Sequence, residues 1–341
     1  MDMTPRERIE RLLAGLPADR VPFCPAIYEH KAALIGMTPS HIAQNADALD
    51  YALACEYELY RPDMLTVGCD VYNVEAEALG CEVRYPETND VPSISTRIVR
   101  PGDDISRLRL PDPAAAGRMP VFLEAGRRVQ ARLGSRMIVR GALCGPFSMA
   151  CELAGAEGVL TAVLDDAGWV AGLLAFTAEV AKTYGRAFVE RGLGVILFDS
   201  HAAPPLLSPA LYRKIVLPAT ASVISYFRRD LGVPLVPYIV GGDTAVLLDA
   251  ILATGTNNIL CDYKADLAGF IDRLRGTDVL VRANLDPRLI HAGPPGEVKT
   301  RARRVLDVGR RHPGFILGTG ILPYDTPPDN VVAVREALEE V

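Results

Sequence analysis

The 341-residue chain is 49% hydrophobic and 23% charged, an ordinary globular composition with enough apolar material for one large core. A net charge of −6 without any Lys/Arg cluster excludes a nucleic-acid surface, because that affinity rests on grouped cations neutralising phosphates. The polar start Met1-Asp2-Met3-Thr4-Pro5-Arg6-Glu7-Arg8 lacks an apolar signal core and no apolar run reaches spanning length, so a cytoplasmic protein without membrane contact is expected.

In chain order, Thr4-Pro5-Arg6-Glu7 reads as a capped helix start, with Thr4 as cap, Pro5 in the first turn and Glu7 completing a capping box. That helix is expected to close the floor of the fold. Eight short apolar runs follow, each bounded by Gly, Pro or Asp: Val21–Ile27, Met64–Val67, Met137–Leu143, Gly194–Asp199, Leu235–Val240, Asn258–Asp262, Val279–Asn284 and Phe315–Thr319. They read as parallel strands buried on both faces. Helical periodicity is predicted over Thr38–Leu59, Ala114–Leu133, Gly155–Arg191, Pro209–Leu231, Ala245–Ala253, Leu267–Arg275, Gly296–Arg311 and Asn330–Val341. Eight strand-helix units without a Gly-rich phosphate turn predict a (βα)8 TIM barrel, an α/β fold formed by residues 1–341 as a single domain. The Pro-rich stretch Glu82–Asp112 breaks the rhythm and reads as an insertion after strand 2. Seven scattered cysteines, odd in number and without C-x-x-C spacing, give neither a disulfide framework nor a zinc knuckle.

Barrels of this kind draw their chemistry from strand carboxyl ends, which turns the strand list into a site list. Candidate catalytic residues are Tyr28, Glu29 and His30 after the first strand, Asp70 and Glu77 after the second, Asp199 and His201 after the fourth, and Tyr238 on the fifth. Candidate substrate-binding residues are Tyr72, Cys144, Asp262, Lys264, Asn284 and Thr319. Bland roles compete with each. An Asp at a strand-helix junction caps the next helix as readily as it binds a ligand, which applies to Asp262 and Asp286. Asp199-Ser200-His201 is instead followed by Ala202-Ala203-Pro204-Pro205, which favours a site role. Asp70, Glu75 and Glu77 form either a solvated helix face or a set of acid or metal-binding oxygens.

The segments Thr4-Pro5-Arg6-Glu7-Arg8, Asp19-Arg20-Val21-Pro22, Glu75-Ala76-Glu77-Ala78-Leu79-Gly80-Cys81-Glu82-Val83, Gly145-Pro146-Phe147, Leu207-Ser208-Pro209 and Thr326-Pro327-Pro328-Asp329-Asn330-Val331 together resemble the uroporphyrinogen decarboxylase superfamily. The resemblance runs over nearly the whole chain and implies a (βα)8 barrel. Its decarboxylases carry arginines after the first strand, where this chain has Pro25-Ala26-Ile27-Tyr28-Glu29-His30-Lys31. A polycarboxylate tetrapyrrole would lack its bidentate partners there. The Glu75–Gly80 segment resembles the corrinoid-dependent methyltransferase branch instead. Thiol-methylating members of that branch hold zinc with a His-x-Cys pair and a distant Cys, which match Tyr238-Ile239-Val240 and Thr319 here. The usual zinc set is therefore absent. An oxygen and nitrogen site drawn from Glu29, His30, Asp70, Glu77, Asp199 and His201 is the alternative metal reading.

The resemblance implies a methyltransferase that works with a corrinoid protein and moves a methyl group from a small methylated donor, such as a methoxylated aromatic, to cobalamin. Tyr28, His30, Tyr238 or His201 would protonate the departing group, oriented by Asp199 or Glu77. A carboxy-lyase acting on a small acid and a catalytically silent ligand-binding barrel are the competing readings, and a homodimer is admissible.

Overall fold

A computed structural model describes residues 3–340. Eight short parallel strands wind round a common axis: β1 (Phe23–Ala26), β2 (Met64–Val67), β3 (Ile138–Cys144), β4 (Gly194–Phe198), β5 (Pro237–Ile239), β6 (Asn258–Cys261), β7 (Leu280–Leu285) and β8 (Phe315–Ile321). Their order is β1-β8-β7-β6-β5-β4-β3-β2, so each strand lies beside its sequence neighbour and the first pairs with the last. This is the expected (βα)8 barrel, with helices in every crossover.

The seam between β1 and β2 is closed without a strand ladder. Phe23 N–H donates to Asp63 Oδ2 at 2.6 Å, and Asp63 N–H donates to Phe23 O at 2.8 Å. Higher up, Lys31 Nζ donates to the carbonyls of Thr66 and Gly68 at 3.1 and 2.9 Å. Arg8 and Arg20 pair with Asp63, and Glu56 with Lys31, so these buried charges are compensated.

Side chains alternate between the axis and the helix layer. At the floor, Cys24, Met64, Leu235, Leu280 and Ile316 pack on Ile9 and Leu12 of the N-terminal helix Pro5–Leu13, which caps the barrel as expected and starts with the Thr4/Glu7 capping box. At the upper end Ala26, Tyr28, Ala142, Ile196, Phe198, Ile239 and Leu260 form a second interior layer. Between these layers β3 and β7 place Arg140 and Arg282, both almost wholly buried. Residues of the opposite parity, among them Leu143, Tyr238, Val240, Cys261 and Leu285, belong to the large core between strands and helices.

Several predicted helices are divided, each for a local reason. Thr38–Leu59 becomes Pro39–Gln44 and Ala46–Tyr60 because Asn45 turns extended and caps Asp47 and Ala48. Gly155–Arg191 becomes Ala156–Asp165 and Ala167–Val189 at the cap Asp166. Pro209–Leu231 is a continuous run whose turn Tyr212–Val216 widens to a π-turn, next to Pro218, which has no N–H to donate back to Lys214. Ala114–Leu133 starts only at Met119, and Asn330–Val341 spans Pro328–Glu339, its last residue lying outside the described residues. Four short helices lie outside the predicted stretches: His30–Ala33, Val74–Ala78, Pro146–Ala154 and Pro287–Ala292. The insertion contains an antiparallel pair, Val83–Arg84 with Ser93–Ile94.

Candidate active site at the barrel mouth

Two neighbouring compartments open at the carboxyl ends of the strands. The larger, of 380 Å³, lies between the barrel and the insertion and is lined by Tyr28, Glu29, Asp70, Tyr72, Asn73 and Glu152, with Val91–Ile94 as its outer wall. The smaller, of 260 Å³, sits over the barrel axis among Tyr28, Tyr72, Phe198, Ile239, Leu260, Asp262, Arg282 and Asn284. Tyr28, Tyr72 and Ile321 line both. A larger cavity of 610 Å³ lies at the opposite end, between the N-terminal helix and the strand starts. Its polar members Arg6 and Glu10 pair with each other and Arg6 also bonds Gly134 O, so it offers no convergent free groups; the mouth does.

Burial raises the carboxyls of the larger compartment toward neutral pH. Glu29 precedes the short helix His30–Ala33 but makes no capping bond, and burial pushes its carboxyl up to about 7. Burial pushes Asp70 up to about 6 despite Arg118, whose Nη1 donates to Asp70 Oδ2 at 2.9 Å. Asp70 Oδ1 is buried without a partner. Burial also raises Glu152, which lies 3.8 Å from His201 Nε2. Arg118 Nε bonds Glu77 in turn, and Tyr85 donates its hydroxyl to the same carboxylate. Asn73 Nδ2 donates to Pro92 O at 2.5 Å. The chain Asp70–Arg118–Glu77–Tyr85 and this bond fasten the insertion over the mouth.

The structure brings Tyr28, Glu29, Asp70, Tyr72, Asp262 and Asn284 to the compartments. His201 stands at their edge, its ring 5.9 Å from that of Tyr72 in an edge-on contact. The remaining candidates share this end of the fold but not the lining. His30 is buried and fully partnered: its Nδ1 lies 2.8 Å from Tyr324 O, an acceptor, so Nδ1 carries the proton and Nε2 accepts from Tyr60 Oη at 2.6 Å. Asp199, wholly buried, accepts Ser148 N–H at 2.6 Å from the first turn of Pro146–Ala154 and the Tyr238 hydroxyl at 3.2 Å. Tyr238 accepts from Tyr212 Oη at 3.0 Å in the helix layer. Thr319 Oγ1 accepts Ala26 N–H at 2.9 Å, and Cys144 N–H donates to Glu75 at 2.8 Å. Glu77 is one contact removed, through Arg118. Lys264 is exposed, its ammonium 5.6 Å from the Tyr263 ring.

Sequence reasoning from strand ends missed Arg282, Phe198, Ser200, Tyr263 and Glu152. A signal for Arg282 existed: a guanidinium set inside the apolar run Leu280–Leu285, two residues from Asn284 and of the same parity.

The metal readings were tested against these contacts. At the positions where the resemblance implies a zinc set, Tyr238 has its hydroxyl engaged, Val240 has no donor atom and Thr319 is bonded to the backbone, so the residues present do not fit that metal. The alternative set also fails. Glu29, His30, Asp70, Glu77, Asp199 and His201 are dispersed by the contacts above, and among the described residues no group of three or more His, Cys, Asp or Glu could hold a metal ion.

The barrel and its carboxyl-end site define a TIM-barrel protein of the enzyme type. Residues 4–341 match the family of uroporphyrinogen decarboxylase (URO-D), and the chain belongs to that family. Among its relatives, the methylcobamide:CoM methyltransferase MtbA of Methanosarcina acetivorans is 27% identical over 90% of both chains. The MtbA of Methanosarcina mazei is 27% identical over 99% of this chain and 98% of its own. The uroporphyrinogen decarboxylase of Aromatoleum aromaticum is 30% identical, over 85% of this chain and 83% of its own. Among solved structures, a methyltransferase from Methanosarcina mazei superimposes with a TM-score of 0.88, at 22% identity and 99% coverage of both chains, which establishes the same fold.

Proposed function

We propose that this protein is a methyltransferase that works with a corrinoid protein, taking a methyl group from a small methylated donor and passing it to reduced cobalamin. The relatives named methylcobamide:CoM methyltransferase support the reaction class. The observation that carries the direction is the donor set at Tyr238, Val240 and Thr319, which does not suit a thiol-activating metal. Demethylation of a donor such as a methoxylated aromatic needs no activated thiol. It needs the methyl carbon aligned for displacement and a proton for the departing atom.

The residues present supply both. The Tyr28, Tyr72 and Phe198 rings form apolar walls, and the hairpin Val83–Arg84/Ser93–Ile94 screens one side of the mouth. Glu29, raised to about 7 by burial, is half protonated near neutral pH and can deliver its proton to the leaving oxygen or nitrogen. The corrinoid is the second substrate, presented by its carrier from the open face of the mouth.

The test is to mix purified protein with cob(I)alamin and a panel of methoxylated and N-methylated compounds and to follow the absorbance of methylcobalamin. Its appearance with at least one donor is the expected result. Silence with every donor, together with carbon dioxide release from a panel of small acids, would favour the carboxy-lyase reading, which the 30% identity to uroporphyrinogen decarboxylases supports.

A further inference from the structure

Two buried guanidiniums stand inside the barrel without a carboxylate partner among the described residues. Arg140 is occupied by uncharged groups: Nε donates to Thr66 Oγ1 at 3.0 Å, Nη2 to Cys24 Sγ at 3.0 Å and Nη1 to Met64 Sδ at 3.4 Å. Arg282 is not occupied. It is 4% exposed, its Nε is buried with no hydrogen-bond partner, and it forms part of the wall of the smaller compartment. Asn284, two residues on, lines the same compartment; its Oδ1 is a buried acceptor, so it is the side-chain NH2 that can donate to an anion there. Gly318 on the adjoining strand makes room for both, since a Cβ there would meet Asn284 Oδ1 at 2.9 Å and Arg282 Cδ at 3.0 Å. Asp262, the carboxylate in this wall, is turned to the backbone and accepts Gly242 N–H at 2.7 Å and Tyr263 N–H at 2.9 Å.

A desolvated, unpaired guanidinium is costly unless something neutralises it. Arg8, Lys31 and Arg118 each have an acidic partner, and the donors of Arg140 are taken up by uncharged groups as above. Arg282 differs in facing a cavity. We infer that Arg282 and Asn284 form an anion subsite at the base of the mouth and that the substrate is a compact methylated carboxylic acid whose carboxylate docks there. A guanidinium offers a carboxylate two parallel N–H donors. Tyr28, Phe198, Ile239 and Leu260 enclose the body of the acid, and the compartment's 260 Å³ falls below the roughly 300–1,000 Å³ of pockets for drug-sized ligands. This inference rests on the methyl-transfer reading for the substrate's methyl group, but not for its carboxylate.

The experiment is calorimetric titration of the whole protein, without corrinoid, with benzoate and 4-methoxybenzoate, their neutral amides, and benzenesulfonate. The acids bind at least roughly tenfold tighter than the amides, as loss of a charge-assisted pair predicts. Arg282→Met removes that preference while amide binding stays, and Arg282→Lys keeps part of it. Melting temperatures of the variants verify folding; the Met variant melts no lower than the parent, because it removes an unpaired buried charge. Equal binding of acids and amides by the parent, no binding of any acid, a preference that survives in the Met variant, or sulfonate binding tighter than benzoate would each overturn the inference. Acid binding through Arg282 without methylcobalamin formation would instead sink the methyl-transfer reading alone. Methylcobalamin from neutral donors with no acid preference would sink the carboxylate subsite alone.

Discussion

Glu29 and Asp199 differ by what their carboxyls already hold. Glu29 makes no capping bond and lines the larger compartment, whereas Asp199 is wholly buried and bonded to Ser148 N–H and Tyr238. Glu29→Gln is expected to slow methyl transfer by about 10²-fold or more, the usual contribution of a positioned acid. In the parent the rate falls as pH rises through about 7, where Glu29 loses its proton, and the variant lacks that limb. An unchanged rate-pH profile in the variant contradicts the assignment. Asp199→Ala leaves Ser148 N–H without an acceptor and costs about 1–3 kcal/mol, measured by urea unfolding; a change below about 0.5 kcal/mol, the scatter of surface substitutions, contradicts the structural role. The two acids looked alike in sequence because both follow strands. Which side of the strand each faces, and which backbone N–H groups meet it, depends on the short helices His30–Ala33 and Pro146–Ala154, too brief to show helical periodicity in the sequence.

At the scale of elements, Arg118, before the helix Met119–Leu133, pairs with Asp70 and Glu77 after β2 and lies over the ring of Tyr85, which belongs to the insertion. Arg118→Ala leaves two buried or half-buried carboxylates without their cation and is expected to destabilise by about 3–5 kcal/mol. It should also admit trypsin at Arg84 or Arg97 before the barrel opens. Cleavage patterns identical to the parent's would contradict this fastening. The strands were legible because runs such as Val195-Ile196-Leu197-Phe198 are apolar without a break, and the Thr4/Glu7 capping box because its chemistry is local. The short helix Pro146–Ala154 was not legible: its N-terminus is met by Asp199, 51 residues away for the Ser148 contact. Parity explains the remaining misses. Tyr238 and Thr319 stand near strand ends but line neither compartment, their hydroxyls being bonded to Tyr212 and to the Ala26 backbone, while Arg282 faces the axis from inside a strand.

For the whole molecule, the buried carboxyls set the pH dependence of stability. Burial raises Glu29 and Glu75 to about 7 and Asp70 and Asp199 to about 6, above the ordinary values of about 4. The folded state therefore holds more protons than the unfolded one between these limits. Their stabilisation is complete below about pH 4 and is lost as pH rises through about 6 to 7. Asp19, drawn down to about 2 chiefly by Arg8 against the opposing effect of burial, acts oppositely and only in more acid solution. Above about pH 6.5, where His30, His201 and His312, lowered by burial, no longer act in the opposite sense, the melting temperature is expected to fall up to about pH 8. Glu75→Gln, which keeps an acceptor for Cys144 N–H, should flatten that slope. A melting temperature that rises over the same interval contradicts the burial argument.

The most direct measurement follows the atoms of one donor. The protein, cob(I)alamin and 4-methoxybenzoate carrying 13C either in the methyl or in the carboxyl carbon are incubated together and the products read by NMR. Methyl label moving to the cobalt-bound methyl resonance, with 4-hydroxybenzoate released and the carboxyl label retained, is the predicted result. Carboxyl label emerging as carbon dioxide or bicarbonate, with the methoxy group intact, would contradict the account.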